Sequence, residues 1–385
     1  MSATTELLAV LSALYLYECL QIVPLASVAF QALWPGRFLP LRPSALGLLK
    51  GRGMLLGMPL PPLGTLYVTE PWPLVLGPKG LASGRDRGGK EPGKGEGEEA
   101  GPGAAVPWDA LGPVKIDGTV VHARALPPLR MASERGARTL ATFLRELVAC
   151  KEKERGARIE RALAERLDSD AVRERCRQHR RATLALVLCT NLLFLGIFAG
   201  VPLIVFTELG TRWYVILGVA LAAWLLTPWL LRRALKACFA RPDWPPTSRQ
   251  VALLVSPVSA IRAPDLVAEH LLADFDPLAV GAVLLRHERF AELVREELAE
   301  LRYGIAAPGE TEDETRRWFR EHRRRAVQRL AKAQGVDPEA LFQPPPREDD
   351  GCRTFCPRCR AQYVHADGAC ASCQDIRLLP LDAAG

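Results

Sequence analysis

The chain has 385 residues, of which 49% are hydrophobic and 24% charged, with a formal net charge of +7. This length suits two or three compact units rather than one continuous core. Of the 50 basic residues 41 are Arg and only 9 Lys, so basic clusters arise without a phosphate partner; positive charge is read here for topology, and a nucleic-acid partner is not expected.

Residues 1–35 are expected to hold a first transmembrane helix. The stretch from Leu7 to Trp34 is uncharged except for Glu18 and is long enough to cross a hydrocarbon core of about 30 Å. Met1 to Glu6 lacks the basic residues of a signal peptide, so cleavage is not expected. A carboxylate near the bilayer centre costs about 2.5–3.5 kcal/mol, which the surrounding apolar residues can offset. Glu18 is therefore singled out, either as a proton or ion relay or as a protonated carboxyl bonded to a polar group such as Asn191.

Residues 36–76 read as short strands and turns, on the Gly, Pro and short apolar runs of Met54 to Leu76. Residues 77–107, dominated by Gly and mixed charges, read as a flexible insert. Its run Gly89 to Gly95 has P-loop composition but lacks the Ser/Thr that would bind Mg²⁺. Residues 108–181 are expected to form a cytoplasmic β-hairpin, with Asp117-Gly118 in a type I′ turn, followed by helices carrying Leu140, Leu144, Leu147, Ile159, Leu163 and Leu167 at helical spacing.

Residues 182–232 hold two further uncharged runs, Ala182 to Thr207 and Trp213 to Leu231, separated only by Glu208 to Arg212. Each is long enough to span a bilayer, and together they read as a transmembrane helical hairpin. Five Arg stand before it between Arg173 and Arg181, and Arg232, Arg233, Lys236 and Arg241 stand after it. The positive-inside rule places both flanks in the cytoplasm and, applied to Arg37, Arg42, Lys50 and Arg52, places the N-terminus outside. The fold class expected is a membrane α-helical protein with three transmembrane helices, cytoplasmic α+β and helical parts, and a further C-terminal module. The expected location is a bacterial inner (plasma) membrane, with the bilayer as one partner and the C-terminus cytoplasmic.

Residues 233–343 read as a cytoplasmic helical domain, residues 344–351 as a linker on Pro344-Pro-Pro346, and residues 352–385 as a separate module. Five of the ten cysteines lie in the last 34 residues, which argues against a disulfide framework and for a local metal site in a reducing compartment. Cys356-Pro-Arg-Cys359 and Cys370-Ala-Ser-Cys373 are two C-x2-C knuckles ten residues apart. Four thiolates complete a tetrahedral Zn²⁺ shell and leave no open position, the arrangement of a structural ion. Cys352 and His365 are spare potential ligands, read as a free thiol and a turn histidine.

This segment resembles the short four-cysteine zinc ribbons of bacterial proteins, and the overall layout is similar to that of uncharacterised bacterial multipass membrane proteins. In such ribbons a Gly often follows each second cysteine, whereas Arg360 and Gln374 stand there. Neither Glu269-His270 nor His287-Glu288 forms an H-E-x-x-H pair, and the chain has no G-x-S-x-G elbow. The function expected is that of a membrane-anchored scaffold or regulatory protein whose ribbon engages a cytoplasmic protein partner. The alternatives are an accessory subunit of a membrane transport or envelope machine that uses Glu18, and a membrane enzyme of unrecognised type.

Overall fold

The computed structural model describes residues 3–19, 21–24, 26–34, 37–41, 54–57, 65–69, 74–83, 105–131, 134–206, 213–239, 247–268, 271–272, 274–304, 313–373 and 376–381. The chain is mostly helical and divides into two compact units. One comprises Met1–Pro71, Met131–Gly136 and Asp170–Pro277; the other comprises Trp72–Arg130, Ala137–Ser169 and Leu278–Gly385. The stretch 233–343, expected as one helical part, is thus shared between them.

The first unit opens with helix Ala3–Cys19. Beyond it the backbone is extended. Gln21–Pro24 pairs antiparallel with Met54–Gly57, and Ala26–Trp34 lies between Arg37–Leu41 and Thr65–Thr69 in a three-stranded antiparallel sheet. The run 7–34, expected as one membrane helix, is therefore divided after Cys19. Ile22, Val23 and Val28 are β-branched, Phe30 and Trp34 are aromatic, and Pro24 has no amide hydrogen to give a helical ladder.

Among the described residues two helices are long and apolar enough to cross a membrane, Ser169–Val205 and Trp213–Cys238. Leu184, Leu188, Leu192 and Leu195 form an exposed stripe at helical spacing along the first arm. Leu186, Cys189 and Leu193 are buried, as are Ala220, Ala223, Thr227 and Leu231 of the second arm. Two polar side chains meet one carbonyl between the arms: Cys189 Sγ and Thr227 Oγ1 donate to the Ala223 oxygen at 3.0 and 2.9 Å.

A π-helical turn, Gly196–Gly200, interrupts the first arm. A Cβ on Gly196 would stand 2.7 Å from the Ala220 Cβ, and one on Gly200 would stand 2.6 Å from the Ile216 Cγ2. The two glycines, four residues apart, are what let the arms approach, the small-residue packing common between membrane helices.

The second unit begins with a small antiparallel sheet, Leu74–Leu76, Gly80–Ser83 and Val106–Pro107, in that spatial order. Both described ends of the stretch 77–107, expected as a flexible insert, are thus in strands. Leu76 and Leu81 are fully buried there, and the Trp108 indole donates to the Gly77 carbonyl at 2.9 Å. Residues 84–104 lie outside the described residues.

Lys115–Asp117 and Val120–His122 form the expected hairpin, joined by Gly118 and Thr119, with Leu129–Arg130 as a third strand. The two loop residues are shifted by one from Asp117-Gly118. Gly118 has φ 55° and Thr119 does not share the positive φ, so the glycine sits where a type II′ turn needs it, at the first loop position. Helices Glu134–Ala149 and Glu152–Arg166 follow, burying Leu140, Leu144, Leu147, Ile159 and Leu163 as the spacing expects.

Helices Pro277–Leu284, His287–Tyr303 and Glu314–Ala333 complete this unit. Phe290, Val294 and Leu298 meet Ala326, Val327 and Leu330 in a buried cluster. Asp313 caps the last helix, its carboxylate accepting the Arg316 amide at 2.7 Å. The arginines of that helix are largely engaged: Arg323 pairs with Glu297, and Arg324 and Arg325 share Glu321.

Candidate metal centre

The C-terminal module is built on three short antiparallel strands, with Thr354–Phe355 between Gln362–Tyr363 and Leu379–Pro380. Thr354 and Phe355 are buried, which anchors the strand that leads into the first knuckle. In each knuckle the backbone turns so that the amide of the second cysteine faces the first sulfur: Cys359 N to Cys356 Sγ is 3.5 Å, and Cys373 N to Cys370 Sγ is 3.3 Å. Arg360, directly after the first knuckle, has φ 64°, a left-handed conformation that a side chain disfavours. Its amide donates to the Cys356 carbonyl at 2.8 Å and its guanidinium to the Gln343 carbonyl at 3.2 Å, contacts that hold the turn.

The four sulfurs of Cys356, Cys359, Cys370 and Cys373 lie within 4.8 Å of one another. Cys356 to Cys373 is 3.9 Å and Cys359 to Cys370 is 3.6 Å. These separations are too long for S–S bonds. They fit a single ion, since four thiolates at about 2.3 Å from one centre stand about 3.8 Å apart in a tetrahedron. The group could hold a metal ion. Comparison with protein-family models, with curated proteins and with solved structures gave no match, so the centre is read from its own geometry.

The thiols differ in how readily they ionise. Burial is the largest influence on Cys370 and opposes its charge, but the Tyr363 hydroxyl at 3.1 Å, the Cys373 amide and the neighbouring thiols outweigh it and bring the group down to about 6. Burial pushes Cys356 up to about 11. Burial, then Cys370 and the charges of Cys356 and Cys359, holds Cys373 well above the usual thiol range. The hydrogen bond to Cys370, with burial behind it, pushes Tyr363 up to about 12. Of the four thiols, Cys370 is the one whose ionisation its surroundings favour, with the Tyr363 hydroxyl placed to donate to it.

Cys352 and His365 stand outside the cluster. Cys352 donates its amide to the Asp349 carbonyl, and the His365 carbonyl accepts from Thr354 Oγ1 while its ring lies tilted against Tyr363 at 5.5 Å. Glu18 lies in helix Ala3–Cys19, but its side chain is outside the described residues. Asn191, its expected partner, has a buried side-chain oxygen with no hydrogen-bond partner among the described residues.

The sequence reading missed Tyr303, Tyr363 and Arg295. Tyr303 packs against the buried group of Cys356, Cys370, Ile376 and Leu378, and its carbonyl accepts the Arg377 amide at 2.9 Å while Gly304 bridges to Ile376. The module is thus joined by backbone bonds to the end of helix His287–Tyr303. Residues 344–351, expected as a linker, also bond to it: the Gln362 side chain donates to the Pro346 carbonyl at 2.7 Å and accepts the Glu348 amide at 3.1 Å. Arg295, on the same helix, is pushed below the ordinary guanidinium range by burial and then by Arg360, while Glu292, Glu296 and Cys359 act in the opposite sense. Its Nε is buried with no hydrogen-bond partner among the described residues. No local sequence pattern marks Tyr303 and Arg295, because their partners are distant in sequence, whereas Tyr363 lies between the knuckles, seven residues from Cys370.

Proposed function

We propose that this chain is a membrane-anchored scaffold or regulatory protein, held in the bilayer by its helical hairpin, with a structural Zn²⁺ in a C-terminal ribbon that engages a cytoplasmic protein partner. The observation that carries the reading is the closed shell of four thiols. A tetrahedral all-sulfur set suits zinc, and a filled shell has no position for a substrate. The exposed leucine stripe of the first arm supports a lipid-facing hairpin. The Arg-rich flanks support its orientation, with both ends cytoplasmic.

A second reading is favoured by the backbone bonds between the module and Tyr303–Gly304: the ribbon is a staple for the helices of its own unit. Paired measurements on the double variant Cys356→Ser with Cys370→Ser separate the two. An interaction module predicts normal abundance in the membrane with loss of a co-purifying partner. A staple predicts degradation or aggregation, since structural zinc in peptides contributes on the order of 10 kcal/mol to folding. A stable double variant that recovers every partner would contradict the scaffold reading.

A further inference from the structure

The second arm of the hairpin is followed by a feature that two spans do not account for. Between Arg249 and Arg262 lie twelve uncharged residues, 250–261. They fold as helix Thr247–Val255, a break at Ser256, and helix Pro257–Ile261. A run of this length is too short to span; such runs are buried core helices, or lie in the interface, or enter a membrane and return. Leu253, Ala260 and Ile261 are buried, but the opposite face is not enclosed in a core. Val251, Leu254 and Val255 are 50%, 60% and 72% exposed.

One hydrogen bond sets the depth. The Trp224 indole donates to the Leu253 carbonyl at 2.9 Å. That carbonyl would ordinarily accept the amide four residues on, but that residue is Pro257, which has none. Trp224 therefore supplies the bond that the break removes. Trp224 lies eight residues before Arg232 in its helix, about 12 Å along the axis at about 1.5 Å per residue. The turn of the helix pair is held at that level, well inside a core about 30 Å thick, and not at the level of the Arg flank.

Three further amides around the break also have partners. Ser256 N donates to the Ala252 carbonyl at 2.8 Å, Ala260 N to the Ser256 carbonyl at 3.1 Å, and Ser259 N to the Ser256 hydroxyl at 3.2 Å. Hydrocarbon tolerates a broken helix only when its backbone groups find such partners. After the second helix, Arg262 pairs with Asp265. On the second arm Leu221 and Leu225, which flank Trp224 in sequence, are likewise exposed.

We infer that residues 247–261 form a re-entrant helical pair whose tip, at Leu254 and Val255, is covered by the acyl chains of the bilayer. This rests on the reading of the hairpin as membrane-spanning. The test places a photoreactive diazirine amino acid, one at a time, at Val255, at Leu225 of the second arm and at exposed Val364 of the C-terminal module, in the full chain in native membranes. Mass spectrometry then identifies the adducts. The inference expects acyl-chain adducts at both Val255 and Leu225 and none at Val364. Acyl adducts at Leu225 alone, with Val255 joined to head groups, to protein or to nothing, would overturn the re-entrant pair and leave the hairpin standing. Absence at both positions would overturn the membrane reading and this inference with it.

Discussion

Close approach of the two arms makes a contrast between three glycines informative. A methyl group at Gly200 would stand 2.6 Å from the Ile216 Cγ2, whereas one at Gly218 would meet nothing within 4 Å. Ile216 is β-branched and has little rotamer freedom in a helix, so the arms themselves must move. Overpacking of this kind costs about 1–3 kcal/mol. Replacing Gly by Ala within a helix returns about 0.5–1 kcal/mol. Gly200→Ala should therefore lose up to about 2.5 kcal/mol, whereas Gly218→Ala, which meets no clash, should gain about 0.5–1 kcal/mol. Gly196→Ala, facing the Ala220 Cβ at 2.7 Å, should behave like Gly200→Ala. Reversible unfolding in bicelles, followed through the tryptophans of the second arm, measures the difference. Equal stability of Gly200→Ala and Gly218→Ala would refute the packing described for the hairpin.

Removing the Tyr363 hydroxyl should leave the four sulfurs in place but take the donor from Cys370, so Tyr363→Phe is expected to weaken zinc binding about 10–100-fold in competition with a chromophoric chelator. Unchanged affinity would show that this bond does not tune the site. At pH 7 Cys370, near 6, is already a thiolate, while Cys356, near 11, and Cys373, above the usual range, hold their protons. Zinc binding should then release at least these two protons and strengthen as pH rises. Calorimetry in buffers of different ionisation enthalpy counts them, and a count near zero would contradict the assignment. In the second unit, Trp108→Phe should cost about 1–3 kcal/mol by leaving the buried Gly77 carbonyl unpaired. Chemical denaturation reads this, and a neutral result would mean that the carbonyl finds another partner.

How much of this was legible in the sequence depended on whether the signal was local. The arms of the hairpin are long uncharged runs, and the knuckles are contiguous C-x2-C pairs, so both could be read directly. Leu140, Leu144 and Leu147 likewise marked their helix by spacing alone. The stretch 7–34 misled because apolar length does not distinguish a helix from strands; β-branched Val23 and Val28 and the amide-free Pro24 carried the opposing information. The strand at 106–107 was hidden because its partner, at 80–81, lies some 25 residues earlier in the chain, although 80–83 also pairs locally with 74–76. Gly196 and Gly200 were visible as residues, but their meaning required knowing that Ala220 and Ile216 face them. In the same way Tyr363 and Tyr303 gain their roles only when the module closes, and the re-entrant pair emerges only when Trp224 is seen to replace the amide missing at Pro257.

The central claim is that Cys356, Cys359, Cys370 and Cys373 together hold one zinc ion. Elemental analysis of the purified full-length protein should find about one zinc per chain, and Cys356→Ser with Cys370→Ser should remove it, because each substitution takes one thiolate from a different knuckle. Wild-type protein without zinc, or a double variant that keeps its full zinc content, would contradict the account.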